Sequence, residues 1–338
     1  MGLLVEGRWQ DRWYDTESHG GRFEREQAGF RNWITPDGAA GPSGEGSFKA
    51  EPGRYHLYVA WPCPWSHRVI IYRSLFGLEE AIGLSAVDPL MLEHGWTFAR
   101  SGAERRDPLY GAQFLHEIYT RAVPDFTGHV TVPTLWDCER ETIVNNESSE
   151  IMRMLAGAFA PWAKHVHDYR PAALREEMDA INERVYETVN NGVYKAGFAS
   201  SQEAYEENFG ALFETLDVLD IRLGERRYLM GEGVTEADWR LFVTLVRFDA
   251  VYFGHFKCNL RRIADYPNLS GYLRDLYQQP GVAETVRIEE IKLHYYGSHR
   301  KINPTGIVPR GPMLDFTRHH GREHPARYTD RMDRGKHA

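Results

Sequence analysis

Tyr55-His56-Leu57-Tyr58-Val59-Ala60-Trp61-Pro62-Cys63-Pro64-Trp65-Ser66-His67-Arg68 is the stretch whose reading settles the fold. Its first six residues, apolar and aromatic, read as a short strand, and Pro64 to Leu75 as a helix with Val69, Tyr72 and Leu75 or Phe76 on one face. Cys63 falls at the joint, in the capping position, with Pro64 at the first helical position where its missing N–H does no harm. Unpaired amides at such a helix start favour a thiolate over a thiol, so Cys63 is expected to be nucleophilic. The competing reading is a small buried residue in a tight turn. His67 and Arg68 either add positive potential or are ordinary helix residues. Ser66 stands three residues on, where a dithiol oxidoreductase has its second cysteine. No ring can close here, so a mixed disulfide on Cys63 needs an outside thiol to resolve it, and glutathione is the abundant candidate.

Downstream, Leu84 to Val87 reads as a second strand ended by Asp88-Pro89. Residues 88 to 128 are too long for a plain connection and are expected to hold a short helix around Leu109 to Tyr119. Thr134 to Asp137 and Glu141 to Val144 read as a strand pair, followed by a helix from Ser148 to about Ala156. The order is β-α-β, insertion, β-β-α. Thr131-Val132-Pro133 just before a strand suggests a cis Val132–Pro133 bond that frees the Val132 backbone to pair with a peptide-like ligand; a trans proline at a strand start is the alternative. In Asn145-Asn146-Glu147-Ser148-Ser149-Glu150, Ser148 and the helix amides can hold a carboxylate and Glu147 an ammonium group, which suits the γ-glutamyl end of glutathione. Plain capping by Ser148 is the alternative.

After Pro171 the pattern is helical. Leu174, Met178, Ile181, Val185 and Val189 mark a helix from Pro171 to Asn190, and Tyr205, Phe209, Leu212, Phe213, Leu216, Leu219 and Leu223 mark another. Thr235 with Asp238 forms a capping signature for a buried helix to about Phe253, and Leu269 to Tyr277 and Val282 to Leu293 complete a bundle. Residues 1–50 form an N-terminal arm without sustained periodicity, whose aromatics Trp9, Trp13, Phe30 and Trp33 are expected to lie on the body. The expected divisions are this arm, a glutathione-binding domain at 51–160, an all-helical domain at 170–294 and a C-terminal arm at 295–338.

The 338 residues suffice for about two domains. Lys+Arg 40 against Asp+Glu 48 leaves a net charge of −8, with no extended basic stretch, which argues against a nucleic-acid partner. Apolar runs such as Trp239 to Val246 are too short to span a membrane, and Met1 to Glu6 reads neither as a secretory leader nor as a myristoylation signal. A cytoplasmic protein is expected. The three cysteines suit thiols rather than a disulfide framework, with Cys138 and Cys258 structural. His165-Val166-His167-Asp168 and His319-His320 with His324 lack ligand spacing, so no metal is expected.

Longer blocks carry a resemblance: Cys63-Pro64-Trp65-Ser66-His67-Arg68, His94-Gly95-Trp96-Thr97-Phe98, Thr131-Val132-Pro133, Asn146 to Glu150, His255 to Ile263, His294-Tyr295-Tyr296-Gly297-Ser298-His299 and Asn303-Pro304-Thr305-Gly306. Over nearly its whole length the sequence resembles the Xi-class glutathione transferases, the glutathionyl-hydroquinone reductases. The resemblance implies an α/β plus all-α architecture, with a thioredoxin-like N-terminal domain and an all-helical C-terminal domain, and a homodimer. It implies that Cys63 takes glutathione from a glutathionyl-hydroquinone and that a second glutathione resolves the mixed disulfide. Trp96, Val132, Pro133, Glu147 and Ser148 are then expected to hold glutathione, and Tyr194 with a member of the Tyr295-Tyr296 pair to face the hydroquinone. Such phenols can protonate and stack on the leaving aromatic. His129 stands where the resemblance leads one to expect arginine. An Omega-like thiol transferase or dehydroascorbate reductase, and a non-catalytic interaction module, are the alternatives.

Overall fold

The computed structural model describes residues 2–44, 46–98 and 105–323, which fall into two compact units. One holds the described residues of Met1–Tyr14, Arg25–His167 and Glu284–Pro309, the other those of Asp15–Glu24, Asp168–Ala283 and Arg310–Ala338.

In the first unit β1 (Leu3–Val5), β2 (Arg8–Gln10), β3 (Trp33–Thr35) and β4 (Ser47–Lys49) precede β5 (Tyr55–Val59), α1 (Pro64–Leu75) and β6 (Ile82–Ala86). Then come α2 (Leu115–Ala122), β7 (Gly128–His129), β8 (Thr134–Asp137), β9 (Thr142–Asn145) and α3 (Ser148–Gly157). The main sheet has the order β6-β5-β8-β9, with β5 parallel to β6 and antiparallel to β8. All five residues of β5 are buried. A strand covered on both faces has no solvent side to alternate with, which is why its sequence is mostly apolar and aromatic, and its one histidine, His56, is buried against Ser85. Cys63, Trp96, Val132, Trp136 and Ile143 share one buried cluster with Tyr58 of β5.

The insertion helix starts later than the expected Leu109. Asp107 accepts the amides of Leu109, Tyr110 and Ala112 at 3.1, 3.0 and 3.1 Å, holding that segment in a turn. Glu117 then accepts the amides of Gln113 and Phe114, and α2 begins at Leu115. The N-terminal arm also has more regular structure than expected: β1 pairs antiparallel with β2 and β7, and β3 parallel with β4. Three-residue strands carry too little periodicity to be read, and the pairing is supplied by a distant partner, Leu4 lying opposite Gly128. Its aromatics do lie on the body, Trp9 stacking on His116 and Phe30 on Phe126.

The second unit contains α4 (Arg175–Val185), α5 (Gly192–Phe198), α6 (Gln202–Glu225), α7 (Glu236–Arg247) and α8 (Leu269–Tyr277). The single helix expected over Pro171 to Asn190 is divided: a 3-10 turn at Ala172–Leu174, α4, and a π turn at Tyr186–Asn190. The helix expected to reach Phe253 gives way to a π turn at Phe248–Tyr252. The capping pair expected at Thr235 and Asp238 is present, the Asp238 carboxylate receiving both the amide and the hydroxyl of Thr235. Back in the first unit, α9 runs Ile288–Ser298, later than the expected Val282 start, because Ala283–Thr285 forms a 3-10 turn. Residues 324–338, including His324, lie outside the described residues. Among the described residues no helix is long and apolar enough to cross a membrane.

Candidate active site

Cys63 is the N-cap of α1, with extended backbone angles of φ −72° and ψ 124°, and Pro64 follows at the start of the helix. The chain turns sharply here: the Cys63 amide donates to the Ala60 carbonyl at 3.1 Å, and the Cys63 carbonyl receives the His67 amide at 2.9 Å. The thiol is buried and points at the Val132 carbonyl oxygen, 3.5 Å away. Val132–Pro133 is cis, as the sequence suggests. Ser66 is wholly buried and its hydroxyl accepts the Ala60 amide, so the residue that replaces a second cysteine is part of the turn.

His67 and Arg68 are packed residues. The His67 ring meets Thr285 Oγ1 at 2.8 Å. The Arg68 guanidinium lies over the Trp65 ring at 4.7 Å and donates to Ser148 Oγ at 3.4 Å. A fully buried cation therefore stands behind the hydroxyl expected to receive a carboxylate.

At α3 the capping residue is Glu147 rather than Ser148: its carboxylate accepts the Ser149 amide at 3.0 Å and the Ser149 hydroxyl at 2.8 Å. The capping alternative for Ser148 is thereby replaced, since its Oγ faces Arg68 instead. Glu150 is not available to a ligand in the same way. It is buried and gripped by Arg31, Asn145 and Ser43. Burial pushes its pKa up, but these bonds and the Arg31 charge outweigh that and hold it below the ordinary value.

Trp96 is buried in the same cluster as Cys63 and Val132, and its indole lies flat against His294 of α9. On that helix Tyr295 is 1% exposed and packs edge-on to His294 and His299, whereas Tyr296 is half-buried. Tyr194 belongs to α5 of the second unit, where it packs against Phe198, Tyr252 and Phe256. Cys138 and Cys258 are free thiols raised above their ordinary pKa, each chiefly by burial. Among the described residues no group of three or more potential ligands is gathered for a metal ion.

Sequence reasoning missed the contribution of the N-terminal arm. Tyr14 packs on His129 with ring centroids 5.2 Å apart, and Arg25 lies over Trp65 at 4.9 Å, two residues from Cys63. Burial pushes the Tyr14 phenol up; the Arg25 charge pulls against it, and Cys63 and Glu26 add to the rise. Glu26 faces His129 at 3.6 Å. The only signal was the density of aromatics in the arm, which says that it is buried without saying where.

A thioredoxin-like domain with a lone thiol at its first helix, a cis proline opposite and a separate helical unit defines a class of protein. Residues 62–158 match the family model "Glutathione S-transferase, N-terminal domain" and residues 202–275 match "Glutathione S-transferase, C-terminal domain". The chain belongs to the Xi-class glutathione transferases. It is 55% identical over 325 residues to the glutathionyl-hydroquinone reductase YqjG of Escherichia coli, covering 96% of this chain and 99% of that one. Its identity to the glutathionyl-hydroquinone reductase PcpF of Sphingobium chlorophenolicum is 54%, covering 92% and 96%. The glutathione-bound structure of Escherichia coli YqjG superposes with a TM-score of 0.87 at 52% identity, covering 95% and 99%, and the Xi-class glutathione transferase of Natrialba magadii with 0.87 at 46%, covering 96% and 98%.

Proposed function

We propose that the protein is a glutathione-dependent reductase of glutathionyl-hydroquinones, with Cys63 as the nucleophile. The observation that carries the reading is a single thiol at a helix start whose neighbour one turn on is a serine built into the turn. Such a thiol can form a mixed disulfide but cannot resolve it alone. The similarity to two named glutathionyl-hydroquinone reductases supplies the substrate class.

The Cys63 thiolate attacks the sulfur that joins glutathione to the aromatic ring. The Cys63–glutathione disulfide forms, the carbon–sulfur bond breaks, and its electron pair goes to the ring carbon, which takes a proton to give the free hydroquinone. A second glutathione thiolate attacks the mixed disulfide, releasing glutathione disulfide and restoring Cys63. The net change oxidises two glutathione sulfurs and reduces one aromatic carbon.

In this reading Trp96 packs on the tripeptide, the Val132 backbone beside Pro133 pairs with its cysteinyl segment, and Glu147 and Ser148 take the γ-glutamyl ammonium and carboxylate. Tyr194 and Tyr296 are the phenols assigned to the hydroquinone, Tyr296 being preferred to the buried Tyr295 because it retains exposed surface. A homodimer working in the cytoplasm, with no metal, completes the proposal. Intact-mass analysis after mixing with a glutathionyl-hydroquinone tests it: wild type gains one glutathione and Cys63→Ser gains none. An adduct on Cys63→Ser, or its absence from wild type, removes the mechanism. Turnover of dehydroascorbate without turnover of glutathionyl-hydroquinone moves the protein to an Omega-like activity.

A further inference from the structure

The motif His294-Tyr295-Tyr296-Gly297-Ser298-His299 ends α9, with His299 as its C-cap, and most of it has no part in the reaction as written. Several of its residues engage one short segment, Pro89 to Trp96. His294 Nδ1 lies 2.8 Å from the Pro89 carbonyl oxygen, which can only accept, so this nitrogen carries a proton. The Ser298 hydroxyl accepts the Met91 amide at 3.0 Å. Gly297 admits Leu90: a Cβ at this glycine would come within 2.6 Å of Leu90 Cδ2. The His294 ring then lies nearly parallel to the Trp96 indole, centroids 5.0 Å apart at an interplanar angle of 17°. Both rings are buried, at 6% and 7% exposure.

The Trp96 backbone is held independently, since its carbonyl accepts the Leu115 amide at 2.9 Å. What the backbone leaves open is the orientation of the indole about its two side-chain torsions. A flat ring locked by a hydrogen bond at one edge and pressed against the indole face removes that freedom before any ligand arrives. A side chain ordered in advance loses less entropy on binding.

We propose that His294 is a positioning residue for glutathione binding, fixing the plane of Trp96 by stacking while its bond to Pro89 fixes the imidazole. The proposal rests on Trp96 as a glutathione contact. Tyr296 lies two residues along the same helix, so α9 also ties the phenol assigned to the hydroquinone to the loop that grips the tripeptide.

The test measures glutathione affinity by calorimetry and steady-state turnover of a glutathionyl-hydroquinone with the full chain. His294→Leu, of similar bulk but without a flat ring, is expected to raise the KM for glutathione about fivefold and leave kcat at saturating glutathione within about twofold. His294→Phe, which keeps a ring and loses the bond to Pro89, is expected to recover most of that affinity. In a Trp96→Ala background, His294→Leu is expected to have no further effect on affinity, because the group through which it acts is gone. An unchanged KM in folded His294→Leu, equal losses in the Leu and Phe variants, or additive losses in the Trp96→Ala background overturns the proposal. If His294→Leu is not recovered folded, His294→Asn, which keeps a donor for Pro89 and loses the ring, is held to the same expectations. Wild type that binds no glutathione overturns Trp96 as its contact and this proposal together; wild type that binds, beside an unaffected His294→Leu, overturns the proposal alone.

Discussion

Ser66 Oγ accepts the amide hydrogen of Ala60 across 3.2 Å, tying the first turn of α1 to the end of β5 around the thiol of Cys63. The position where a dithiol enzyme keeps its resolving cysteine is thus occupied by a residue that holds the loop of Cys63 in place. The lack of a second thiol and the geometry of the turn come from the same side chain.

Replacing Ser66 by cysteine restores a thiol one helical turn from Cys63. Mild oxidation of Ser66→Cys is expected to consume a pair of thiols within one chain, whereas wild type consumes none internally; thiol titration before and after oxidation under denaturing conditions reads the difference. Oxidised Ser66→Cys that keeps all its thiols would show that the two positions cannot meet.

Arg31 of the N-terminal arm holds Glu150 through Nε at 2.8 Å and through a second, shorter contact from Nη2. Arg31→Ala leaves a carboxylate of 10% exposure without its cation, and is expected to lower stability at neutral pH by about 2 kcal/mol, a figure discounted because Arg31 itself is 38% exposed. The folded pKa of Glu150 is depressed, so this stabilisation is present above its ordinary value of 4.5 and disappears as the pH falls through the folded value. Urea titrations at neutral and acid pH should therefore converge for wild type and variant on the acid side.

His56 sits in β5 with its Nε2 at 2.8 Å from Ser85 Oγ of β6, and burial lowers its pKa from 6.5 to about 4, with Asp107 opposing. The unfolded chain takes up a proton on this ring near pH 6.5 while the folded chain resists. The depressed pKa contributes stability above pH 6.5 that is lost as the pH falls towards 4, by up to about 3 kcal/mol. His56→Gln is expected to flatten the stability profile over that interval; an unchanged slope in chemical denaturation would assign the acid sensitivity to other groups.

Asp238 receives the amides of Leu229 and Thr235 at 2.9 and 2.7 Å and the hydroxyls of Thr235 and Tyr272 at 2.8 Å each, at zero exposure. Asp238→Ala strands several buried donors and is expected to destabilise the helical unit by about 3 kcal/mol. Asp238→Asn, which keeps an acceptor, is expected to fall between the two in thermal denaturation. An alanine variant as stable as wild type would mean that water replaces the carboxylate.

The strand and helix around Cys63, the length of α8 and the capping pair at Thr235 and Asp238 were legible because each is written in adjacent residues: a run of apolar and aromatic residues, a 3.6-residue period, an acceptor three positions after its donor. The cap position of Cys63 was legible for the same reason, the cysteine, its proline and the serine in place of a second thiol all lying within four residues. The later start of α2 was not, because it depends on one carboxylate, Asp107, choosing three amides over a helix. Nor was the arm, where β1 pairs with a β7 far along the chain and β3 with β4 in strands too short to carry a period.

What the sequence alone determined is the local chemistry: one capped thiol, a proline turn opposite it and an acid-hydroxyl helix start. Which side chains surround that chemistry was decided only by the tertiary structure. It set Arg68 behind Ser148, Arg25 over Trp65 and His294 flat against Trp96, and it made Glu147 rather than Ser148 the cap. The physical reason is that burial and contact between residues tens or hundreds of positions apart leave no periodicity in the chain; they arise when closing the core removes those side chains from water together.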